Sequence, residues 1–476
     1  MKFPPLPILQ KETLLKKTRS RCPTCHVSCP AEVWRMEETP AKVYLKRTCP
    51  VHGEASVCIA SDARFYWLAK GSPQNEGPCC AGGNCGPKNS PLNFDFEKGA
   101  AISAADGSVA GTLGRNANGK GDGTFEKLST CLALIEIVNS CNLACPTCYA
   151  NSPVGAGSKV DAVPIEQLKE RIQGVIDRKG GIEILQLSGG EPTLHPHFFE
   201  LVDWAQNHPN IDYLLLNTNG VRIARDAEFA RQLAIVSARR RIQIYLQYDG
   251  TQSAAQVELR GTDLRSLRES AIERCREIKL PITLAMTVVP ENLGHLWEAI
   301  EFGLRYPHIR GISFQPMFKS GRRPDATSAP LNTADIILAA VEQSGGKLRF
   351  EDFTPLPCGD PNCATIGYLL KLNGRIQSVS DFIDFTQVQG FLQDKVRYSL
   401  EDLMKCGCES EPLGELLKQF ELDESNTFRL FIKPFMDAWT WDEDRIDRCC
   451  THVIRPDGKL DSFCRYYSGF AESGGQ

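Results

Sequence analysis

The sequence lacks the features that mark membrane-spanning, secreted or nucleic-acid-binding proteins. No apolar run approaches the ~18 residues that a membrane-spanning helix needs. The N-terminal stretch MKFPPLPILQKETLLKK has neither the apolar core nor the small-residue cleavage site of a secretion signal. Charge of one sign is also scarce, because the formal net charge is only −4 over 476 residues. These absences predict a cytoplasmic protein that does not bind nucleic acid.

Cysteine, in contrast, is abundant. The chain holds 20 cysteines, and disulfides are rare in the cytoplasm, so this number of thiols indicates metal ligation. A charged fraction of 24% and a hydrophobic fraction of 42% are those of a globular protein. The length allows two or three domains with sizeable cores.

The densest group of thiols follows an apolar run. Residues 132–138 read as a strand buried on both faces. They lead into SCNLACPTCYA, in which Cys141, Cys145 and Cys148 have the spacing C-x3-C-x2-C. Three thiolates on one short loop suit a cubane iron–sulfur cluster with one iron left free for a cofactor. A zinc knuckle or a set of buried thiols is the alternative.

A second short apolar run, residues 184–187, ends in the segment SGGEP. The glycines Gly189 and Gly190 at a strand end allow a ligand to approach the backbone closely. The carboxylate of Glu191 can accept hydrogen bonds from an ammonium group. This strand end is therefore a second candidate for ligand binding.

The two motifs together, CNLACPTCYA and GGEP, resemble the radical S-adenosylmethionine superfamily. The resemblance implies that the three cysteines hold a [4Fe–4S] cluster whose free iron binds the amino and carboxylate groups of S-adenosyl-L-methionine. It also implies that the GGE segment contacts the methionine amino group. One departure is Thr147, which stands where the family has an aromatic or large apolar residue; Tyr149 is the candidate for part of that packing.

From residue 129 the chain alternates between predicted strands and helices, and polar or glycine-containing motifs follow the strands. Parallel α/β barrels carry their chemistry at the C-terminal ends of the strands, so the cysteines, the GGE segment, Asn219 and Asp249 should share one rim. The family resemblance implies a partial (β/α)6 barrel, with Asn219 and Asp249 near the cofactor. Plain turn chemistry of Asn-Gly and Asp-Gly is the alternative. The predicted strands are 132–138, 182–187, 212–217, 242–247, 282–289 and 311–315, and the predicted helices are 164–179, 197–207, 225–237, 263–278 and 294–305.

The N-terminal region carries a second metal motif. The paired segments CPTC and CPVHG flank two alternating stretches, residues 31–35 and 41–46, which read as a hairpin. Two metal knuckles joined by a hairpin predict a rubredoxin-like or zinc-ribbon module, and a Cys3His set accepts either zinc or iron. Cys29 and Cys58 are alternatives for the fourth ligand. The predicted ligands are Cys22, Cys25, Cys49 and His52.

The remaining cysteines predict one or two auxiliary [4Fe–4S] clusters. Many stand among glycine and proline, as tight loops around a cluster require, and each cluster takes four thiolates. Their assignment to individual clusters stays open. The candidates are Cys80 and Cys85, with Cys79 beside them, and Cys358, Cys363, Cys406, Cys408, Cys449, Cys450 and Cys464.

These features predict four regions: a metal-binding module at 1–70, a cysteine-containing loop and Gly-rich insertion at 71–128, the radical core at 129–325 and an auxiliary-cluster domain at 326–476. The insertion 99–123 is too rich in small residues to build a core. Residues 101–103 and 108–110, on either side of an Asp-Gly turn signal, also match a two-stranded flap. Short supporting helices are expected near 333–344, 382–393 and 411–419.

The order of motifs along the chain resembles the group that contains tetraether lipid synthases and enzymes assigned to methylation of a pterin precursor. The resemblance implies a 5′-deoxyadenosyl radical that takes hydrogen from an unactivated C–H bond. It favours the coupling of lipid tails, with pterin methylation as the alternative and a non-enzymatic electron-transfer protein as a third possibility. The implied partners are a small-molecule or lipid substrate, an electron donor such as flavodoxin or ferredoxin, and the surface of a membrane.

For a lipid substrate, the sequence also suggests which residues would bind the head group and the tail. Arg322 and Arg323 follow the last predicted strand of the core, and strand-end loops face the site. We therefore expect these arginines to meet a phosphate head group. Phe314, Met317 and Phe318, near the same strand end, are expected to line an apolar channel for the tail.

Overall fold

A computed structural model describes residues 12–68, 93–95, 100–102, 128, 130–155, 157–239, 241–323, 330–356, 359–372, 375–381 and 426–469. The chain divides into two compact units. The larger unit comprises residues 1–67 and 129–476, and the smaller comprises residues 68–128.

The N-terminal strands form a four-stranded antiparallel sheet in the order β1-β2-β3-β4. Alternating side chains such as Val33, Val43, Leu45 and Val57 form its buried core, as a period of two requires. The predicted hairpin corresponds to β2 and β3, and β1 and β4 extend it on either side. The strands are β1 (Glu12–Arg21), β2 (Ser28–Met36), β3 (Lys42–Cys49) and β4 (Gly53–Ala60).

In the smaller unit the structure describes two short strands, β5 (Asn93–Asp95) and β6 (Ala100–Ile102), which pair antiparallel. The predicted flap would instead pair 101–103 with 108–110. Residues 108–110 lie outside the described part of the chain.

The larger unit also contains a 12-stranded sheet. Six consecutive parallel strands form its middle, and each matches a predicted strand to within two residues at either end. Their nearly continuous burial explains the apolar runs in the sequence. These strands are β7 (Leu132–Val138), β8 (Ile182–Gly189), β9 (Ile211–Thr218), β10 (Ile242–Gln247), β11 (Ile282–Val288) and β12 (Ile309–Pro316).

Helices connect the parallel strands, as crossover connections require. Helix α1 shows why they form: Leu168, Ile172 and Ile176 lie buried on one face, and Gly180 ends the helix in the left-handed conformation with φ 96°. The helices of this part are α1 (Ile165–Lys179), α2 (Phe198–Asn207), α3 (Val221–Arg225), α4 (Ala227–Ser237), α5 (Ser253–Arg260), α6 (Arg265–Glu277), α7 (Pro290–Leu293) and α8 (Leu296–Leu304).

The segment after residue 326 adds strands to this same sheet. Strand β16 (Thr427–Ile432) pairs in parallel with β12, and β17 (Thr451–Ile454) pairs in parallel with β7. Lys433, just after β16, donates to the Thr451 hydroxyl of β17 at 2.6 Å, so the two ends of the parallel array approach each other. The parallel array therefore has two strands more than the six predicted. The remaining elements are α9 (Thr333–Gln343), β13 (Thr354–Pro355), β14 (Thr365–Leu372), β15 (Arg375–Ser378), β16 (Thr427–Ile432), α10 (Glu443–Asp447), β17 (Thr451–Ile454), β18 (Leu460–Ser462) and α11 (Phe463–Ser468).

The N-terminal sheet packs against this C-terminal segment. Lys16 forms an ion pair with the buried Asp442 at 2.7 Å, and Arg47 donates to the Ala438 carbonyl at 2.7 Å. Of the supporting helices predicted after 326, α9 is present, and 382–393 and 411–419 lie outside the described residues. Among the helices that the structure describes, none has the length and apolarity to cross a bilayer.

Candidate functional site

Four ligand atoms converge at one end of the N-terminal sheet. The thiols of Cys22, Cys25 and Cys49 and the imidazole of His52 have ligand atoms within 4.8 Å of one another. Cys22 and Cys25 lie in the β1–β2 connection, Cys49 is the last residue of β3, and His52 lies in the β3–β4 connection. Two hairpins thus present two ligands each, as the spacing predicts.

The distances fit a single tetrahedral metal ion. Cys25 Sγ lies 3.7 Å from Cys49 Sγ, and His52 Nδ1 lies 3.5 Å from Cys22 Sγ and 3.6 Å from Cys49 Sγ. Tetrahedral zinc with Zn–S of ~2.3 Å and Zn–N of ~2.0–2.1 Å would place its ligand atoms ~3.6–3.8 Å apart. The residues present therefore fit a zinc ion bound through Nδ1 of His52.

Neither alternative fourth ligand joins this group. The buried Cys29 thiol donates instead to the Val27 carbonyl at 3.3 Å. Cys58 lies near the far end of β4, and burial raises the pKa of its thiol to about 11. Both are consistent with cysteines that serve in packing.

The three cysteines that follow β7 lie on a loop, residues 139–155, that the end of β12 holds in place. Cys148 exchanges backbone hydrogen bonds with Arg322, at 2.7 and 2.9 Å. The Arg322 side chain donates from Nε to the Cys145 carbonyl at 2.8 Å and from both Nη atoms to the Ser152 carbonyl at 3.2 Å. Gly321 is required beside it, because a Cβ there would come within 2.3 Å of the Tyr149 carbonyl oxygen.

This geometry corrects the expectation for Arg322. Its guanidinium binds backbone carbonyls of the cysteine loop, so it positions that loop rather than facing a lipid phosphate. Arg323, its neighbour, is exposed and carries no contact that supports the phosphate expectation.

The two glycines of the GGE segment also pack against the cysteine loop. A Cβ on Gly189 would lie 2.1 Å from the Val138 carbonyl oxygen, and one on Gly190 would lie 2.1 Å from the Ser140 carbonyl oxygen. The backbone amides of Gly190 and Glu191 donate to those two carbonyls, at 2.8 and 2.9 Å. The sequence predicted that a ligand would lie close to these glycines. In the structure, the backbone of the cysteine loop lies there.

Glu191 is buried and its carboxylate is engaged inside the protein. It accepts from the Thr193 amide and hydroxyl at 3.2 and 2.6 Å, the Thr218 hydroxyl at 2.6 Å and the Asn219 amide at 2.8 Å. Burial raises the pKa of this carboxyl, although these four donors oppose the shift. Glu191 thus ties the end of β8 to the end of β9. Three of its four donors bind Oε1 and one binds Oε2, and Glu191 also lines a cavity at the strand ends, so its contact with a cofactor ammonium group stays a prediction.

The two predicted strand-end residues differ in their surroundings. Asn219 donates from Nδ2 to Asn142 at 2.7 Å and lies 3.7 Å from the Cys141 sulfur, so it borders the cysteine loop. Asp249 is fully buried and holds Arg260 in a two-point ion pair at 2.7 and 2.9 Å. Asp249 therefore positions an arginine instead of facing a ligand itself.

Two arginines that the sequence interpretation missed lie at this site. Burial would lower the pKa of Arg260, but Asp249 outweighs burial and raises it; the Cys145 thiol lies close enough to add to that effect. Arg268 is completely buried, donates to the Asn219 carbonyl, and has Nε and Nη2 atoms without a hydrogen-bond partner. Burial lowers the pKa of Arg268 to about 10. The available signal was an arginine within the apolar stripe of α6, beside Ala271, Ile272 and Cys275.

These residues surround a cavity of about 120 Å³ at the strand ends, here called the strand-end cavity. Its walls include all three cysteines of the loop, the GGE segment, Asn219, Arg260 and Arg268. Within the described chain, only the N-terminal Cys3His group has three or more ligand atoms that all lie within 4.8 Å of one another. The three loop thiols are therefore too far apart to bind one metal ion. Three thiols arranged around a cavity fit a multinuclear cluster.

A second cavity of about 180 Å³, here called the central cavity, is enclosed by side chains from β7 to β12 and β16, so the sheet curves around it. It shares Tyr149, Asn217, Gln247, Gln315 and Phe318 with the strand-end cavity, and the two are adjacent. Its polar lining consists mainly of carboxamides and hydroxyls: Gln186, Tyr213, Asn217, Gln243, Tyr245, Gln247, Ser313 and Gln315.

Tyr149 lies between the two cavities. Its ring packs edge-on against Tyr467 at 4.8 Å and also contacts Phe463 and Phe318, at 5.6 and 6.2 Å between ring centroids. Phe318 thus belongs to this aromatic cluster as well as to both cavities, Met317 lines the strand-end cavity, and Phe314 is buried. The structure does not bring these three residues together as an apolar channel.

The described C-terminal thiols form a loose group beside the central cavity. Burial raises the pKa values of Cys363, Cys449, Cys450 and Cys464, and electrostatic repulsion among these thiols adds to the shifts. Cys450 lines the central cavity itself. The other predicted auxiliary ligands lie outside the described residues: Cys79, Cys80, Cys85, Cys358, Cys406 and Cys408.

Comparison with known proteins identifies two regions of the chain. Residues 135–303 match the radical SAM superfamily model, and residues 14–61 match the HMPTM N-terminal zinc ribbon domain. The 7,8-dihydro-6-hydroxymethylpterin dimethyltransferase of Methanocaldococcus jannaschii is 26% identical over 95% of this chain and 93% of its own length.

Two further similarities are more limited. The GTP 3′,8-cyclase of Syntrophomonas wolfei is 24% identical over 59% of this chain and 86% of its own length. Among solved structures, S-adenosylmethionine-bound SuiB of Streptococcus suis aligns with a TM-score of 0.32 and 17% identity, over 42% of each chain.

Residues 135–303 therefore form a radical SAM domain, and the protein is an enzyme. It carries an N-terminal zinc ribbon, and its cofactors include S-adenosyl-L-methionine and a [4Fe–4S] cluster. When bound, these two cofactors would supply the radical chemistry, and the protein would bind and orient them.

Proposed function

We propose that this radical SAM enzyme is a methyltransferase that acts on a pterin. The proposal is carried by the similarity to the pterin dimethyltransferase, which extends over nearly the full length of both chains. It therefore includes the ribbon and the C-terminal segment as well as the core. The pterin alternative considered from the sequence is thus better supported than the coupling of lipid tails.

The central cavity supports the same substrate. A pterin is a planar heterocycle whose edge presents several hydrogen-bond donors and acceptors. Carboxamides such as Gln186, Gln243 and Gln315 offer both donors and acceptors to such an edge. At about 180 Å³ the cavity is smaller than the ~300–1,000 Å³ of pockets that hold drug-sized ligands, so it suits one compact ring system.

Lipid coupling fits this structure less well. Two long tails would need far more room than the central cavity of about 180 Å³, whose lining mixes apolar side chains with amides and hydroxyls. The arginine expected at the head group, Arg322, is occupied by carbonyls of the cysteine loop. None of the relatives described above is a lipid synthase.

At the strand-end cavity, Cys141, Cys145 and Cys148 are proposed to hold the [4Fe–4S] cluster. Arg260 and Arg268 are proposed to receive the carboxylate of S-adenosyl-L-methionine, because guanidinium groups pair with carboxylates in a bidentate manner. Asn219 borders the same space, and Tyr149 is proposed to separate cofactor from substrate. Gly189, Gly190, Glu191 and Asp249 are proposed to position these groups.

The sheet is proposed to be the partial barrel of this superfamily, extended by β16 and β17. The described C-terminal thiols are proposed to contribute to at least one auxiliary cluster, with an external protein such as flavodoxin or ferredoxin as electron donor. A cytoplasmic location remains a prediction from the sequence.

The test is an anaerobic assay of the reconstituted protein with 7,8-dihydro-6-hydroxymethylpterin and, separately, with a phospholipid. We expect 5′-deoxyadenosine together with a methylated pterin, identified by mass spectrometry. A control without S-adenosyl-L-methionine should give neither product. Conversion of the lipid with no change in the pterin would contradict the proposal.

A further inference from the structure

We propose that the substrate is a pterin whose side arm carries an anionic phosphate ester, and that Arg429 and Lys433 receive this group. The inference rests on the proposed function and makes the substrate class more specific. It starts from β16, the strand that the C-terminal segment adds beside β12.

Three side chains of this strand and its end face the central cavity. Arg429, Phe431 and Lys433 alternate along the chain, as residues on one face of a strand do, and all three line the cavity. Gly311 of β12 allows this close pairing, because a Cβ there would lie 2.3 Å from the Arg429 carbonyl oxygen and 2.9 Å from its Cβ. The cations are therefore held in place by the sheet itself.

The charge around these cations is unbalanced. The described residues that line the central cavity include Arg429 and Lys433 but no aspartate or glutamate. Within the described chain, neither cation lies at ion-pair distance from a carboxylate. Lys433 donates to the neutral Thr451 hydroxyl at 2.6 Å, which uses one of its three N–H groups.

An anionic ligand would complete this arrangement. A guanidinium matches the geometry of phosphate oxygens, and an ammonium adds a second point charge. Cavities lined by charge of one sign favour ligands of the opposite sign. The neutral amides that line the rest of the cavity suit the pterin ring, so the ring and the charged arm would have separate places.

Lys433 also acts on two thiols, because it lies close enough to Cys449 and Cys450 to favour their thiolate forms. A cluster bound there would be a competing counter-charge. Arg429 is not among the main influences on the pKa of either thiol. The two cations must therefore be tested separately, and Arg429 is the more specific probe.

The experiment uses the full-length protein, reconstituted anaerobically and saturated with S-adenosyl-L-methionine. Its affinity is measured for 7,8-dihydro-6-hydroxymethylpterin and for the monophosphate and diphosphate esters of the same pterin. We expect at least one ester to bind at least tenfold more tightly than the neutral pterin. Arg429→Gln should remove most of that preference and leave the affinity for the neutral pterin within a factor of about two, and Arg429→Lys should restore part of it.

Controls separate charge from folding and from cluster loss. Arg231→Gln and Lys347→Gln remove exposed cations on α4 and after α9, and both should keep the preference. Iron content and melting temperature are measured for every variant, so a loss of the cluster in Lys433→Gln is recognised. If Arg429→Gln does not fold, the test uses Arg429→Lys, which should lose part of the preference for the ester.

The outcomes distinguish this inference from the proposed function. Equal affinity for the neutral pterin and both esters would overturn the inference and leave pterin methylation standing. A preference for an ester that survives in both Arg429 variants would also overturn it. If none of the three pterins binds, the proposed function and the inference both fail.

Discussion

The two thiol sites of this protein are built in opposite ways. In the ribbon, the ligands come from two hairpins within about thirty residues, and their atoms already lie within 4.8 Å of one another. At the end of β7, the three cysteines come from a single loop, yet they surround a cavity of about 120 Å³. The ribbon is formed by local chain geometry, whereas the loop is held by distant residues.

The difference shows in the hydrogen bonds. The cysteine loop is bound by Arg322, which is 177 residues from Cys145 in sequence, and by Asn219, which is 77 residues from Asn142. The ribbon ligands contact chiefly one another. A site that must leave an open position for a cofactor needs an external frame, whereas a closed site can be organised by its own metal.

The largest effect is expected at the loop thiols. Cys145→Ala should abolish the formation of 5′-deoxyadenosine and remove about four iron atoms per chain, because a cubane cluster held by two thiolates is lost. The ribbon metal should remain. Iron and zinc analysis with a cleavage assay measures this, and Cys275→Ala, a buried cysteine on α6, is the control. Cofactor cleavage by Cys145→Ala would show that this thiol is not a cluster ligand.

A ribbon variant should show the opposite pattern. Cys22→Ser combined with Cys25→Ser should lose one metal atom per chain and lower the melting temperature, because small metal modules fold on their metal. Cleavage of S-adenosyl-L-methionine should persist. Cys29→Ser, which changes a thiol in the same buried cluster, should keep the metal. If the double variant keeps its full metal content, Cys22 and Cys25 are not metal ligands.

An intermediate effect is expected where distant strands hold the loop. Glu191→Ala should weaken binding of S-adenosyl-L-methionine by roughly 1.5–3 kcal/mol, or about 10- to 150-fold, because buried donors lose a charged acceptor. Iron content should be unchanged. Titration of the cofactor measures the loss.

A companion variant shows how Glu191 acts. Thr218→Val removes one donor to this carboxylate without touching the cavity charge. If Glu191 positions the strand ends, Thr218→Val should reproduce part of the loss in affinity. If the carboxylate instead contacts the cofactor ammonium directly, Thr218→Val should bind the cofactor like the parent.

The smallest effect is expected at Arg322. Arg322→Lys retains the charge but loses the forked donor geometry, so the loop should loosen and cluster occupancy should fall by a factor of about two to five. Arg323→Lys, at the exposed neighbouring position, should change nothing. Iron content and cofactor turnover measure both. If Arg322→Lys keeps its cluster but binds substrate more weakly, Arg322 contacts the substrate and does not position the loop.

Much of the molecule could be predicted from the sequence because the signals are local. The apolar runs located the six middle strands, since strands buried on both faces need continuous apolar residues. The spacing of Cys22, Cys25, Cys49 and His52 indicated a metal site, and hairpin geometry alone brings those ligands together. The superfamily followed from two short motifs for the same reason.

What only the tertiary structure decided concerns contacts between distant segments. Arg322 was expected to face a phosphate, but it binds carbonyls of the cysteine loop. Glu191 was expected to accept from a ligand, and the structure adds that it also joins the ends of β8 and β9. Arg268 lies in α6 and Arg429 lies in β16, and the sequence around each is that of an ordinary amphipathic helix or strand. Arg268 lines the strand-end cavity and Arg429 lines the central cavity. Both placements depend on how α6 and β16 pack against the core, and sequence spacing carries no information about such packing.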